Sequence, residues 1–367
     1  CLFRGVRKET IVFLLYILML LPVGYINYQL DLSSLISSLR VLILLPFFVE
    51  IGSKINDKEN FSLFLRWYFL RYFLIFAIFG IIDFILDGLI GTKVFWKDFV
   101  GLGKYMEVIK GQAVRLVDGL PGNFYGSYGQ DFFSQKRLVS FWASPLTAGY
   151  LLFISFIWSL FELKNEPKRI LTFIIFAISI LLTNTRIIIL LSVVVLIFFL
   201  FYKKKWQFLF FLFISIFIGV IIKYDSLIKY LFDASTQGHM DGITSTFLIS
   251  ISIFGNGIGS FGISGLQSTE SFYIALSGQL GIIGIIIYFA YYYLTLMKIK
   301  FNVSYQTFII ITMMTFCYLV TGLISEQLGA FTTIAPFFCF LGYWTFSKKN
   351  SKSNHARVTL IMCEGKH

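Results

Sequence analysis

The stretch RILTFIIFAISILLTNTRIIILLSVVVLIFFLFYKKK, residues 169–205, decides the fold. Two apolar runs, 170–185 and 187–202, flank a short polar turn ending in Arg186, and a triple lysine, Lys203 to Lys205, closes the second run. Each run is about 16 residues long, against about 20 for a full bilayer crossing. Such runs fit if they stand near-perpendicular or begin in the headgroup zone. The stretch therefore reads as a transmembrane hairpin with a basic end and a turn that carries one arginine.

Working outward, apolar segments of this kind recur at roughly 11–30, 32–50, 67–89, 141–162, 207–222, 271–294, 305–323 and 331–346, which makes about ten spans in all. Composition agrees. The chain of 367 residues is 57% hydrophobic and 19% aromatic, with 14% charged; a soluble domain carries about a quarter of its residues charged. So few charges cannot cover a folded sphere of this volume, and lipid must solvate much of the surface. The net charge of +12 comes largely from short clusters beside the spans, at Arg4, Arg7 and Lys8, at Lys54 and Lys58, at Lys164, Lys168 and Arg169, at Lys203 to Lys205, at Lys298 and Lys300, and at Lys348, Lys349 and Lys352. That is the positive-inside pattern, and it accounts for the charge without a nucleic-acid partner.

With the N-terminus in the cytoplasm, every internal cluster falls inside. The turns near Gln29, Thr185 and Leu328 fall outside, with Arg186 as their cation. An even span count returns the C-terminus to the cytoplasm. The expected fold is thus all-α: one integral membrane domain over 1–367, a polytopic transmembrane helical bundle with both termini in the cytoplasm. Two long polar segments, roughly 90–140 and 223–270, remain as large outer loops. Both are rich in Gly, Ser and aromatics, which favours irregular backbone and short interfacial helices. The first span is followed by no small-residue cleavage site and reads as a retained helix. Cys317 and Cys339 lie in spans and Cys1 and Cys363 at the ends, so neither a disulfide nor a metal site is expected.

Walker, dinucleotide and HExxH motifs are absent. The glycine run GNGIGSFG (255–262) has no βαβ context and reads better as a tight bend hugging the membrane surface than as a phosphate loop. Arg186 breaks the positive-inside rule. An arginine at membrane depth costs about 2.5–3.5 kcal/mol on insertion scales, so a partner, a water cavity, an anionic ligand or a lipid headgroup should offset it. Arg137 stands at the outer mouth of the 141–162 span, ahead of Pro145 and Gly149. Two readings stand for it: a snorkelling interfacial arginine and a substrate ligand. Arg40, deeper in the second span, either pairs with Asp83 as a buried ion pair or lines the same cavity as Arg186. His239, in the second loop, is the only histidine outside the C-terminal tail. Glu270 and Glu326 stand at the outer ends of spans, where a first-turn carboxylate also complements the helix dipole. Outer carboxylates facing outer arginines are what acid–base chemistry on an anionic substrate needs. Trp96, Tyr105, Phe124, Tyr125, Tyr128 and Phe132 suit either sugar stacking or an interfacial belt.

Taken in order along the chain, these features resemble the O-antigen polymerase and ligase superfamily of bacterial envelopes. The likeness rests on the span layout with two large outer loops, on Arg137 with Pro145 and Gly149, on the LTNTR turn ending at Arg186, and on GNGIGSFG followed by ESFYIALSGQLGIIG. Two positions depart from the family pattern. GHMDG around His239 stands where the second loop often offers an arginine, and Glu270 stands where ligases usually have a histidine. The second departure favours polymerase over ligase. The resemblance implies inverting glycosyl transfer between undecaprenyl-diphosphate-linked oligosaccharides at the periplasmic face, with no nucleotide or other cofactor and in some systems a chain-length regulator as partner. Arg186, Arg137 and, more weakly, Arg40 would hold the departing diphosphate, since arginine does so bidentately and always charged. Glu270 would be the base and His239 the runner-up. An O-antigen ligase, a flippase for the same lipid and a sensory or scaffolding protein are the competing readings.

Overall fold

A computed structural model describes residues 6–28, 32–55, 64–65, 67–90, 96, 101, 116–117, 120–121, 137–142, 144–161, 166–205, 207, 244–247, 250–261, 271–303, 305–323 and 331–345. The described chain is overwhelmingly helical. Among these residues three helices are long and apolar enough to cross a membrane, at Lys8–Asn27, Tyr68–Leu86 and Phe272–Lys300, and shorter apolar helices lie at Pro145–Phe161, Arg186–Tyr202 and Thr307–Thr321. The chain divides into two compact units, Leu63–Leu227 and the pair of segments Cys1–Ser62 with Ile228–His367.

The Leu63–Leu227 unit is built on α3 (Phe73–Ile90), α4 (Pro145–Phe161), α5 (Pro167–Thr183) and α6 (Arg186–Tyr202). Proline opens α4 and α5, where its missing N–H is no loss. The Glu166 N-cap before Pro167 is extended. Helix α4 is buried from Ala148 to Phe161, all round, and packs against α3, α5 and α6. Its neighbours are one-sided. Helix α5 buries Phe176, Ser179, Ile180 and Thr183 and exposes Ile170, Leu171, Ile174, Ile178 and Leu181. Both faces of α5 are therefore apolar. A water-facing helix would carry polar residues on its outer side, so the outer face suits lipid. Cation-rich sequence ends α6, with Lys204 at φ 54°.

A π-helical turn, Tyr68–Tyr72, leads into α3. The wide turn keeps a stripe of rings in register: Tyr68 stacks on Tyr72 at 5.3 Å, Tyr72 meets Phe76 at 4.5 Å, and Phe76 stacks on Trp142 at 4.8 Å. In the 90–140 segment, β1 (Leu116–Val117) pairs antiparallel with β2 (Leu120–Pro121), a hairpin absent from the sequence reading.

The other unit contains α1 (Lys8–Tyr28), α2 (Leu32–Ser53), α7 (Phe272–Lys300), α8 (Tyr305–Thr321) and α9 (Phe331–Thr345). Helices α2 and α9 approach backbone to backbone. A Cβ on Gly52 would meet the Cys339 carbonyl, and one on Gly342 the Val49 carbonyl; small residues permit such close crossings in apolar bundles. Cys317 and Cys339 are free thiols.

The expected continuous span at 271–294 is broken. Gly281 sits at φ 72°, ψ −175° inside α7, and the 252–261 loop fills the break. Asn256 N donates to Gly278 O at 2.8 Å, Gly257 N to Gln279 O at 3.2 Å, and Tyr16 Oη to Leu280 O at 2.6 Å. Beyond the break, Ile282 N and Ile283 N donate to Ser252 O and Ile253 O. The Gln279 side chain ties the loop's far end, accepting from Gly259 N and donating to Phe261 O. Irregular backbone in an apolar setting must have its polar groups satisfied, and these bonds do so. The glycine run is thus not a surface bend. Residues 257–261 are buried, and a Cβ on Gly257, at φ 98°, would strike the Gly24 backbone of α1.

Candidate functional site

Helix α5 ends at Thr183. Asn184 follows in the left-handed region, at φ 48° and ψ 37°, a conformation asparagine tolerates better than most residues. Thr185 is extended and Arg186 begins α6. Left-handed Asn184 therefore turns the 170–202 stretch into two helices rather than one.

Arg137 clamps this turn. Its Nε donates to Thr183 O at 2.8 Å, and its Nη2 to Asn184 O at 3.2 Å and to Thr185 Oγ1 at 3.1 Å. The last carbonyls of a helix lack intrahelical partners and carry partial negative charge, so a guanidinium fork is matched to the end of α5 in charge and in shape. The segment holding Arg137 is itself pinned. Leu138 N donates to Leu182 O at 2.8 Å, and the Leu138 side chain packs where a Cβ on Gly80 of α3 would sit. Buried Ser140, at φ 52°, donates its hydroxyl to Phe76 O at 2.7 Å.

Helix α4 meets the same turn. Thr185 Oγ1 reaches Pro145 O at 3.4 Å. A Cβ on Gly149 would lie 3.2 Å from Thr185 Oγ1 and 3.3 Å from Thr183 Oγ1. Glycine at 149 thus lets α4 approach the turn. Arg137, Pro145, Gly149 and the Thr-Asn-Thr-Arg turn, separate in sequence, form one structural feature. Thr185 and Asn184, noted in the sequence only as members of the LTNTR turn, are the acceptors that make it one.

Chemically, the turn joins two guanidinium groups to the start of α6. Half-buried Arg186 is the first residue of that helix, and the Thr185 side chain makes no capping bond to it. A helix N-terminus presents N–H groups and partial positive charge, which suits anions such as phosphate.

Of the other residues singled out in the sequence, Arg40, Asp83 and Trp96 are among those described. Arg40 is exposed on α2. Asp83, its suggested partner, is buried and accepts a hydrogen bond from Trp96 Nε1 at 3.0 Å. Trp96 is therefore a buried partner of an acid, only 4% exposed, and not an open stacking platform. Glu270, His239, Glu326 and the aromatics Tyr105, Phe124, Tyr125, Tyr128 and Phe132 lie outside the described residues. Ser271, next to Glu270, is the buried N-cap of α7 and donates to Gly322 O at 3.3 Å. Among the described residues no group of three His, Cys, Asp or Glu is placed to hold a metal. Comparison with protein-family models, with curated proteins and with solved structures finds no match to this chain.

Proposed function

We propose that this chain is a polysaccharide polymerase of the bacterial inner membrane, a multi-pass protein of about ten spans with two periplasmic loops and both termini in the cytoplasm. It joins undecaprenyl-diphosphate-linked oligosaccharide repeat units by inverting glycosyl transfer. The observation that carries the reading is the Arg137 clamp on the turn that starts α6 at Arg186. Two cations 49 positions apart, Arg137 and Arg186, with Pro145 and Gly149 between them, serve one turn. A structural need for helix capping explains Arg137 alone. It does not explain a second arginine at the next helix start.

In the proposed reaction a hydroxyl of the acceptor unit attacks the anomeric carbon of the donor chain. The bond to the diphosphate breaks, and the lipid diphosphate leaves with the bonding electron pair. Arg186 holds the phosphate oxygens as charge builds there. Preorganised donors of this kind contribute about 3–4 kcal/mol each. Arg137 positions Arg186 and adds its charge across the turn, and Arg40 is a weaker third contact. Glu270 accepts the proton of the attacking hydroxyl, with His239 as the alternative. The diphosphate ester already holds the free energy, so the reaction takes no nucleotide.

A ligase acting on the same donor would use the same arginines, and Glu270 in place of histidine speaks against it. A flippase is favoured by one observation, the broken helix α7, because transporters bind substrates at such breaks. Here the 252–261 loop and Tyr16 occupy the backbone groups around Gly281, which argues for a structural break. A deletion strain separates the three. Accumulated single lipid-linked repeat units mean polymerase. Full polymer stranded on the lipid carrier means ligase, and repeat units trapped inside the cell mean flippase.

A further inference from the structure

The end of α6 is closed by a lysine in a conformation that suits glycine. Lys203 N donates to Phe199 O at 2.9 Å, Lys204 N to Phe201 O at 3.0 Å, and Lys205 N back to Leu200 O at 2.9 Å. Such paired bonds close a helix around one left-handed residue, mostly glycine and sometimes asparagine. Here that residue is Lys204, at φ 54°, where a Cβ crowds the following carbonyl. All three lysines are exposed. Cations near a helix C-terminus complement its dipole, and cations beside a span fix its orientation. Lys203 and Lys205 meet both needs with glycine between them, so neither need places a third cation in the strained position. None of the three takes part in the proposed transfer.

Helix α4 fixes what lies beside this turn. Its start meets the Asn184 turn through Pro145 and Gly149, Phe156 packs on Phe173 of α5 at 5.2 Å, and Phe161 packs edge-on against Phe199 of α6 at 5.4 Å. The start of α5 and the end of α6 therefore share one end of α4. Lys168 is exposed there, and Arg169 pairs with Glu166 at 2.8 Å. Among the described residues at this end, the five cations Lys168, Arg169 and Lys203 to Lys205 meet one carboxylate, Glu166. Apolar surface begins next to them. Ile170, Leu171 and Ile174 on α5 and Phe201 on α6 are exposed, and Lys203 Nζ lies 5.9 Å and 5.7 Å from the ring centres of Phe199 and Tyr202. A cationic rim beside an apolar wall matches an amphiphile with an anionic head; a soluble anion has no use for the wall.

We propose that the Lys203–Lys205 turn, with Lys168, binds the phosphate of an anionic phospholipid whose acyl chains lie along the exposed apolar side chains of α5 and α6. The closed cap holds three consecutive lysine stems on a fixed backbone, so a bridging phosphate has less to order than it would on a loose loop. Each lysine keeps its charge at the bilayer surface, where anionic lipid attracts it. Replacing Lys204 by glycine then does two opposite things: it relieves the helix end and weakens the hold on the lipid. A lysine kept only for the fold would show a loss of stability instead.

The test is native mass spectrometry of full-length protein in neutral detergent, titrated with phosphatidylglycerol or phosphatidylcholine, with the melting temperature read without lipid. Wild type should bind a first phosphatidylglycerol more tightly than phosphatidylcholine. Lys204→Gly should weaken that phosphatidylglycerol about fivefold, the effect of one lysine at an anionic surface, while its melting temperature without lipid holds or rises. Lys300→Gln removes a charge at the end of α7 and should leave the first phosphatidylglycerol unchanged. Equal affinity for the two lipids, a weakening by Lys204→Gly no greater than that by Lys300→Gln, or displacement of the lipid by inorganic phosphate overturns the proposal. A melting temperature lowered by Lys204→Gly overturns it too.

Discussion

Replacing Arg137 by lysine separates the clamp from the charge. The guanidinium makes hydrogen bonds to Thr183 O, Asn184 O and Thr185 Oγ1. A lysine ammonium at the end of a flexible stem keeps the charge and reaches one of these acceptors well. Two bonds from a charged donor are lost, each worth about 1.5–3 kcal/mol. Arg137 is half-buried, so water at the lip recovers part of that, and the expected net loss is roughly 2–3 kcal/mol. The assay is a double-mutant cycle, Arg137→Lys with Thr185→Val, read by thermal unfolding in micelles and by amide exchange over 182–189. Thr185→Val removes one acceptor, so its effect should shrink in the Arg137→Lys background. If Arg137→Lys stays within about 0.5 kcal/mol of wild type, the range of an ordinary surface change, or if the two effects simply add, the clamp is refuted and charge alone explains Arg137.

Other expectations are equally direct. Gly149→Val should cost about 1–3 kcal/mol by crowding Thr183 and Thr185, and Gly149→Ala less, because a helix regains about 1 kcal/mol on replacing glycine by alanine; a Gly149→Val melting temperature equal to wild type would contradict the close approach of α4. Gly257→Ala combines left-handed strain of about 1–3 kcal/mol with a clash on the Gly24 backbone. It should therefore reduce the yield of folded protein, and a wild-type yield with an unchanged melting temperature would count against the buried loop. Glu270→Gln should lower turnover more than donor binding, and unchanged turnover moves the base elsewhere.

The helical character was legible because apolar runs and basic ends follow directly from membrane physics. A boundary with a local cause was legible too: the polar turn before Arg186 marks a stop. Pro145 and Pro167, which open α4 and α5, were available start signals, but the spans were placed from 141 and 170. What escaped depends on partners far along the chain. Gly281 lies among Gly278 and Gly284 in one apolar run, and nothing local distinguishes it as the break. The bonds from the 252–261 loop make it one. Arg137 was read as an interfacial cation or a substrate ligand, and its clamp on the turn went unseen because its acceptors are 46 to 48 residues away. In the 90–140 segment the Asp118-Gly119 pair was an available hairpin signal, passed over among many glycines.

The central claim is that guanidinium groups at the α5–α6 turn assist departure of a lipid diphosphate from its sugar. Purified protein in vesicles, given lipid-linked repeat units and no nucleotide, tests it most directly, with Arg186→Ala alongside. The expected result is a ladder of longer lipid-linked glycans from wild type and none from Arg186→Ala, with both proteins inserted equally. A wild type that produces no ladder, or an Arg186→Ala variant that produces the same one, contradicts the account.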